Sequence, residues 1–205
     1  MNAVLEPGVT RSLEAGQKIF LEGDKPLGMY RVEKGWIKLS RCSSNGREVI
    51  TELLFPGDYF DVPSLLGEQP YVVTASALGN LAAQSTFYCS RALTRSQGLL
   101  QAAHSQCLQR IGWQRQMMAA LATERVEIRT LLVLEMLARR AGSIKGGQWS
   151  IPMPLTRLEF AEVIGTTTET AIRTLSEFRR RGLICENGNL LTCSLDLLGA
   201  RAMAA

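Results

Sequence analysis

The stretch "LTRLEFAEVIGTTTETAIRTLSEFRRRGLI", Leu155 to Ile184, constrains the fold of this chain more than any other. Thr156 followed three residues later by Glu159 has capping-box spacing, which predicts a helix from Arg157 to about Val163. Gly165 breaks that helix. Thr166 or Thr167 can cap a second one, running to about Arg181 and stopping at Gly182. Two short helices joined through a glycine turn read as a helix-turn-helix, the arrangement in which the second helix enters a DNA major groove. "LICENGNLLTC" follows, with a hairpin expected over Asn187-Gly188 that forms a wing.

The three threonines stand at the N-terminal end of the second helix. Their hydroxyls can cap the helix or meet phosphate, and their methyl groups can touch a thymine methyl. Thr167 is the expected cap and Thr168 the expected base contact, with Thr167 also counted among the phosphate contacts. Glu169 and Arg173 follow one turn apart. Arg can take guanine O6 and N7 together, and Glu can accept from cytosine N4, so the pair can read both strands near one G·C pair. The competing reading is an i,i+4 ion pair on a solvated helix.

Charge supports this reading only through its distribution. The chain of 205 residues carries a formal charge of +4, and residues 1–100 balance ten basic against ten acidic side chains, so the whole excess falls in the second half. Residues 150–205 hold six of each sign. A basic surface there requires segregation onto one face, which "RTLSEFRRR" can supply, with Arg179 as a phosphate contact.

The first half has a different texture. Short runs such as "KIFL", "MYRV", "WIKLSRC" and "VITELLF" are separated by Gly16, Gly23, Gly28, Gly35, Gly46 and Gly57, the pattern of an antiparallel barrel or sandwich. Asn45-Gly46 predicts a tight type I′ hairpin. From Leu99 to Arg140 no proline occurs, and Leu108, Ile111, Met118, Leu121, Ile128, Leu131 and Leu132 form an apolar stripe on a long helix, bent at "ALATERVE". Arg115 interrupts the stripe. The stripe can pair with the same helix of a second subunit or pack on its own barrel. "AGSIKGGQWS" reads as a Gly-rich connector.

The order of these parts resembles the cyclic-AMP receptor protein and fumarate–nitrate regulator superfamily of bacterial transcription factors. The resemblance implies an α+β chain: an N-terminal antiparallel β-roll (a cupin-like jelly roll) over 1–104, a dimerisation helix and hinge over 105–126, and a C-terminal winged helix-turn-helix over 127–205. It implies a cytoplasmic homodimer on double-stranded palindromic DNA, its interface formed by Leu108, Ile111, Arg115, Met118 and Leu121, and contact with RNA polymerase. By position, Thr156 and Arg157 match phosphate-contacting residues, and Glu169 and Arg173 match base readers. Thr168 stands where the cyclic-AMP branch has a base-reading Arg, and Ile172 where the fumarate–nitrate branch has Ser.

The sensor half departs further from the family pattern. Where the cyclic-AMP branch holds ribose and phosphate with Gly-Glu and Arg-Ser, this chain has Asp61-Val62 and Val72-Val73, and no Lys or Arg occurs between Arg47 and Arg91. Cyclic nucleotide dependence is therefore not expected, because a buried phosphate needs a cation. The N-terminal cysteine set of the oxygen-sensing branch is absent, since the first cysteine is Cys42. Cys42, Cys89, Cys107, Cys185 and Cys193 fall in no metal-ligand spacing and are expected to be buried reduced thiols. Cys185, in an apolar run, reads as a small core residue rather than a redox switch. The one histidine, His104, reads as a cap or surface residue ahead of the long helix rather than a haem ligand. No metal, no cofactor, no enzyme activity and no membrane segment are expected, and a small-molecule effector stays open. The alternative function is a β-roll interaction module without sequence-specific DNA binding.

Overall fold

The computed structural model describes residues 8–44, 46–61, 69–89 and 97–199. Asn45, Val62 and Arg91, invoked above, lie outside the described residues. The chain divides into two compact units, one ending at Arg115 and the other beginning at Gln116.

Among the described residues the first unit carries eight strands, β1 (Val9–Leu13), β2 (Lys18–Phe20), β3 (Gly28–Lys34), β4 (Ile37–Cys42), β5 (Glu48–Leu54), β6 (Tyr59–Phe60), β7 (Thr74–Ala77) and β8 (Ala83–Cys89). They form two antiparallel four-stranded sheets, ordered β1-β8-β3-β6 and β2-β7-β4-β5. Leu13, Phe20, Val32, Ile37, Leu54, Phe60 and Tyr71 fill the space between them. Phe20 and Tyr71 stack with ring centroids 3.8 Å apart. Helix α1 (Gln97–Thr123) begins at Gln97, ahead of the expected 105, so His104 lies inside it and exposed rather than before it. Leu99 and Ala103 cluster with Met29, against which Tyr59 and Tyr88 also pack. Gln106 accepts from the Tyr59 backbone N–H at 2.9 Å and donates to the Gly57 carbonyl at 3.2 Å, while Arg110 pairs with the largely buried Glu52.

β4 and β5 pair antiparallel. The Ser43 N–H donates to the Arg47 carbonyl at 2.8 Å, and Gly46 is left-handed at φ 79°; Asn45, the other half of the expected Asn-Gly turn, lies outside the described residues.

A cleft of about 190 Å3 is lined by Arg11, Lys18, Gln17, Tyr30, Ser85 and Phe87, among others. Arg11 is exposed on β1 and lines the cleft from the solvent side. Burial pushes the Tyr30 and Tyr71 phenols above their ordinary range, and the Asp61 carboxylate adds to the rise. Val72 is exposed and Val73 packs against the roll core.

In the second unit, α1 ends at Thr123 and a new helix, α2 (Val126–Ala141), starts after an extended Arg125. The long helix is therefore broken rather than bent. The connector is a hairpin: β9 (Ser143–Lys145) and β10 (Gln148–Pro152) pair across Gly146-Gly147. β10 pairs next with β12 (Leu190–Ser194), and β12 with β11 (Ile184–Asn187), giving one sheet ordered β11-β12-β10-β9. Helices α3 (Arg157–Ile164), α4 (Thr168–Arg180) and the short α5 (Leu195–Gly199) complete the unit. Its core holds Val133, Leu134, Leu137, Ile151, Phe160, Ile164, Leu175, Phe178 and Leu191. The wing turn uses Gly188 and Asn189, one residue later than expected. Asn187 pairs with Leu190, and Gly188 alone carries the positive φ, 58°, that a type II′ turn asks of its first central residue.

Gly165 ends α3 in the left-handed region, at φ 65° and ψ 48°. The Gly165 and Thr166 N–H groups both donate to the Ala161 carbonyl, and Arg129 of α2 donates to the Gly165 carbonyl at 3.1 Å. A Cβ at Gly165 would collide with the Leu121 side chain as well as strain the backbone. Gly165→Ala is expected to destabilise the protein by roughly 1–3 kcal/mol, read as a lowered midpoint in denaturant.

Candidate nucleic-acid interface

Helix α3 starts on the capping box expected from sequence. Thr156 Oγ1 accepts from the Glu159 N–H at 3.1 Å, and Glu159 Oε2 accepts from both the N–H and the hydroxyl of Thr156 at 3.0 Å. The Thr156 hydroxyl proton is thereby committed inside the protein. A phosphate contact by this side chain needs it to turn away from Glu159.

Helix α4 starts on Thr167, whose Oγ1 accepts from the Thr170 N–H at 3.3 Å and lies 3.0 Å from Thr170 Oγ1. It ends in a left-handed Gly182, with the Leu183 N–H reaching the Phe178 carbonyl at 2.9 Å. Ala171, Thr174, Leu175 and Phe178 form the buried face. Their spacing leaves Glu169, Ile172 and Arg173 exposed, with Thr168 half-buried. Glu169 and Arg173 form no ion pair with each other or with any described residue, which removes the solvated i,i+4 pair as their account. Their carboxylate and guanidinium are left with full hydrogen-bonding capacity.

Arg157 and Arg179 are placed differently from a pair of free phosphate anchors. Arg157, the first residue of α3, donates through Nη1 and Nη2 to Glu186 Oε1 and Oε2 at 3.0 and 2.9 Å. Arg179, in the last turn of α4, sits with Nη1 3.4 Å from Glu186 Oε2 and donates to Ser176 at 3.0 Å. Glu186 belongs to β11. One wing carboxylate thus joins the start of α3 and the end of α4, and nothing in the sequence spacing links these three positions. Arg180 pairs with Glu177 at 2.8 Å.

On α1, Leu108, Met118 and Leu121 are 56%, 67% and 45% exposed, Arg115 is exposed and Ile111 half-buried. The Leu108, Ile111, Arg115, Met118 series steps by three and four residues, so it forms one side of the helix. It is not the side that packs Leu99 and Ala103.

The cysteines correct the expectation of buried thiols. Cys42, Cys89 and Cys185 are exposed, Cys107 is half-buried, and only Cys193 is buried; all are free. Cys185 follows the buried Ile184 in β11, and strand alternation turns it to the opposite face. Burial pushes the Cys193 thiol up to about 11.

A helix-turn-helix whose second helix bares a Glu and an Arg, followed by a wing, matches a family model described as a Crp-like helix-turn-helix domain over residues 128–201. A model of the cyclic nucleotide-binding domain matches residues 10–83. The chain belongs to the CRP/FNR superfamily of bacterial transcription regulators. It is similar to the CRP-like cAMP-activated global transcriptional regulator of Mycobacterium tuberculosis, at 28% identity over 91% of this chain and 85% of that protein. It is also similar to the transcriptional activator protein FnrL of Cereibacter sphaeroides, at 27% identity over 87% and 73%. Among solved structures, FixK2 from Bradyrhizobium japonicum shares the CRP/FNR fold with a TM-score of 0.78, at 21% identity and covering 97% of this chain and 98% of that one. Among the described residues, no helix is long and apolar enough to cross a membrane.

In this CRP/FNR regulator the two threonine caps are separable by experiment. Thr167→Ala is expected to lower stability by ~1 kcal/mol, measured by chemical denaturation, because it leaves the Thr170 N–H without its acceptor.

Proposed function

We propose that this CRP/FNR regulator binds a two-fold palindromic DNA site as a cytoplasmic homodimer, contacts RNA polymerase and does not depend on cyclic AMP. The observation that carries the DNA reading is the pair Glu169 and Arg173, exposed and without internal partners on the outer face of a helix whose other face is buried. In this reading Arg173 takes guanine O6 and N7, Glu169 accepts from a cytosine amine, and Thr168 places its methyl against a base. Thr156, Arg157, Thr167 and Arg179 meet phosphates. The exposed side of α1 at Leu108, Ile111, Arg115, Met118 and Leu121 meets the same side of a second copy, an isologous contact. The two recognition helices then fall about one DNA turn, ~34 Å, apart.

Independence from cyclic AMP rests on the absence of Lys and Arg between Arg47 and Arg91. The cleft lined by Arg11, Lys18, Tyr30 and Phe87 is the candidate place for a small-molecule effector of another kind. Nothing in this assignment calls for catalysis.

Selection of bound sequences from a random duplex pool tests the DNA reading. A palindrome is the expected outcome, and Arg173→Ala should cost about 1–3 kcal/mol on the selected site while relaxing one G·C position. Glu169→Gln should relax a neighbouring or opposite position. Selection profiles for Arg173→Ala and Glu169→Gln that overlay the wild-type profile would remove the base-reading roles.

The assembly is tested separately by light scattering at micromolar concentration. A dimeric mass is expected, and Met118→Asp should shift it toward monomer by burying a charge without a partner. A monomeric wild-type chain would end the palindrome argument.

A further inference from the structure

The Arg157–Glu186–Arg179 cluster carries a consequence for DNA affinity that neither arginine shows alone. The Glu186 carboxylate side chain is only 10% exposed, whereas Arg157 and Arg179 are 45% and 47% exposed. Two guanidiniums therefore cover one carboxylate and turn their remaining edges to solvent. Arg157 spends both terminal nitrogens on Glu186, the fork that a phosphate oxygen pair would take. Glu186 is in effect an internal substitute for phosphate. A DNA phosphate that approaches either arginine meets a negative charge on the far side of the same guanidinium. If it takes over the Arg157 fork, it leaves Glu186 poorly solvated and short of donors. Two positive charges held by one negative charge leave the cluster at +1 rather than +2.

We propose that Glu186 is an anionic brake on DNA binding, a positioning residue that holds Arg157 and Arg179 and lowers the affinity of this surface for every phosphate backbone alike. The brake acts on sequence-independent contacts, because the side chains it engages are those directed at phosphate and not Glu169 or Arg173. It sets absolute affinity and leaves the ratio between selected and random sites unchanged. This inference rests on the DNA-binding reading of the helix-turn-helix.

The test compares the full-length wild type with Glu186→Gln, Glu186→Asp and the double variant Glu186→Gln/Arg157→Ala. Each is eluted from a heparin column by salt and titrated against a random-sequence duplex, with thermal melting measured on each. Glu186→Gln keeps the side chain's shape and removes its charge. It should elute at higher salt and bind random duplex about threefold to tenfold more tightly near physiological ionic strength, with a log–log salt slope steeper by roughly one per protomer. Glu186→Asp should elute with the wild type. The double variant should lose the gain, because the gain passes through Arg157.

A purely structural tie would behave in the opposite way: Glu186→Gln would melt earlier and bind polyanions no better or worse than wild type. That result overturns the proposal. Should Glu186→Gln fail to fold, Glu186→Ala decides. It should likewise elute from heparin at higher salt and bind random duplex more tightly than wild type, and an affinity no better than wild type sinks the idea. The heparin measurement does not depend on sequence recognition. A wild-type chain that selects no sequence defeats the DNA-reading proposal, while heparin elution still supports or overturns the brake.

Discussion

The left-handed turn at Gly165 is the constraint on which the rest of the DNA-directed unit depends. Its backbone reverses the chain between α3 and α4 in three residues, Gly165 to Thr167, and so fixes the angle at which α4 leaves the core. That angle decides which side of α4 faces out. With Ala171, Thr174, Leu175 and Phe178 turned inward, Glu169 and Arg173 have no position left except the surface. Arg129 from α2 and the Leu121 side chain close over the turn, so the geometry is held by packing and a hydrogen bond as well as by the absence of a Cβ. N-caps on both helices, Thr156 with Glu159 and Thr167 with Thr170, keep the helix starts from fraying.

Charge is arranged on this frame in two distinct ways. Glu169 and Arg173 form no ion pair among the described residues, so their charged groups stay open at the surface. Arg157 and Arg179 are tied by Glu186, which links three elements at once: the start of α3, the end of α4 and the first strand of the wing. An ion pair of this exposure contributes little to stability by itself. Its weight lies in which donors remain open to a polyanion. In the β-roll unit, the exposed Arg11 of β1 and Lys18 of β2 line one cleft.

Much of this was legible in the linear chain where the signal is local. A capping box, a glycine break and the 3.6-residue spacing of Ala171, Thr174, Leu175 and Phe178 are contained within a few turns of helix, so α3 and α4 could be read to within a residue or so. The signals that failed were ambiguous between two local solutions. Asn187-Gly188 is compatible with either register of a tight turn. "AGSIKGGQWS" reads as a connector because its strands are short and polar, and only pairing with β12 makes β9 and β10 part of a sheet. Cys185 continues an apolar run in sequence, yet alternation in β11 sends it outward.

The sequence by itself determined the elements and the family: a Gly-punctuated β half, a long helix, and a helix-turn-helix with a wing, because propensity, capping and periodicity act between near neighbours. Only the tertiary structure decided which charges meet. Arg157, Arg179 and Glu186 are far apart in the chain and come together because β11 pairs beside the helices that carry the two arginines. In the same way Glu169 and Arg173, a plausible ion pair by spacing, stay apart. Contacts between distant residues depend on how whole elements pack, and no local periodicity encodes that distance.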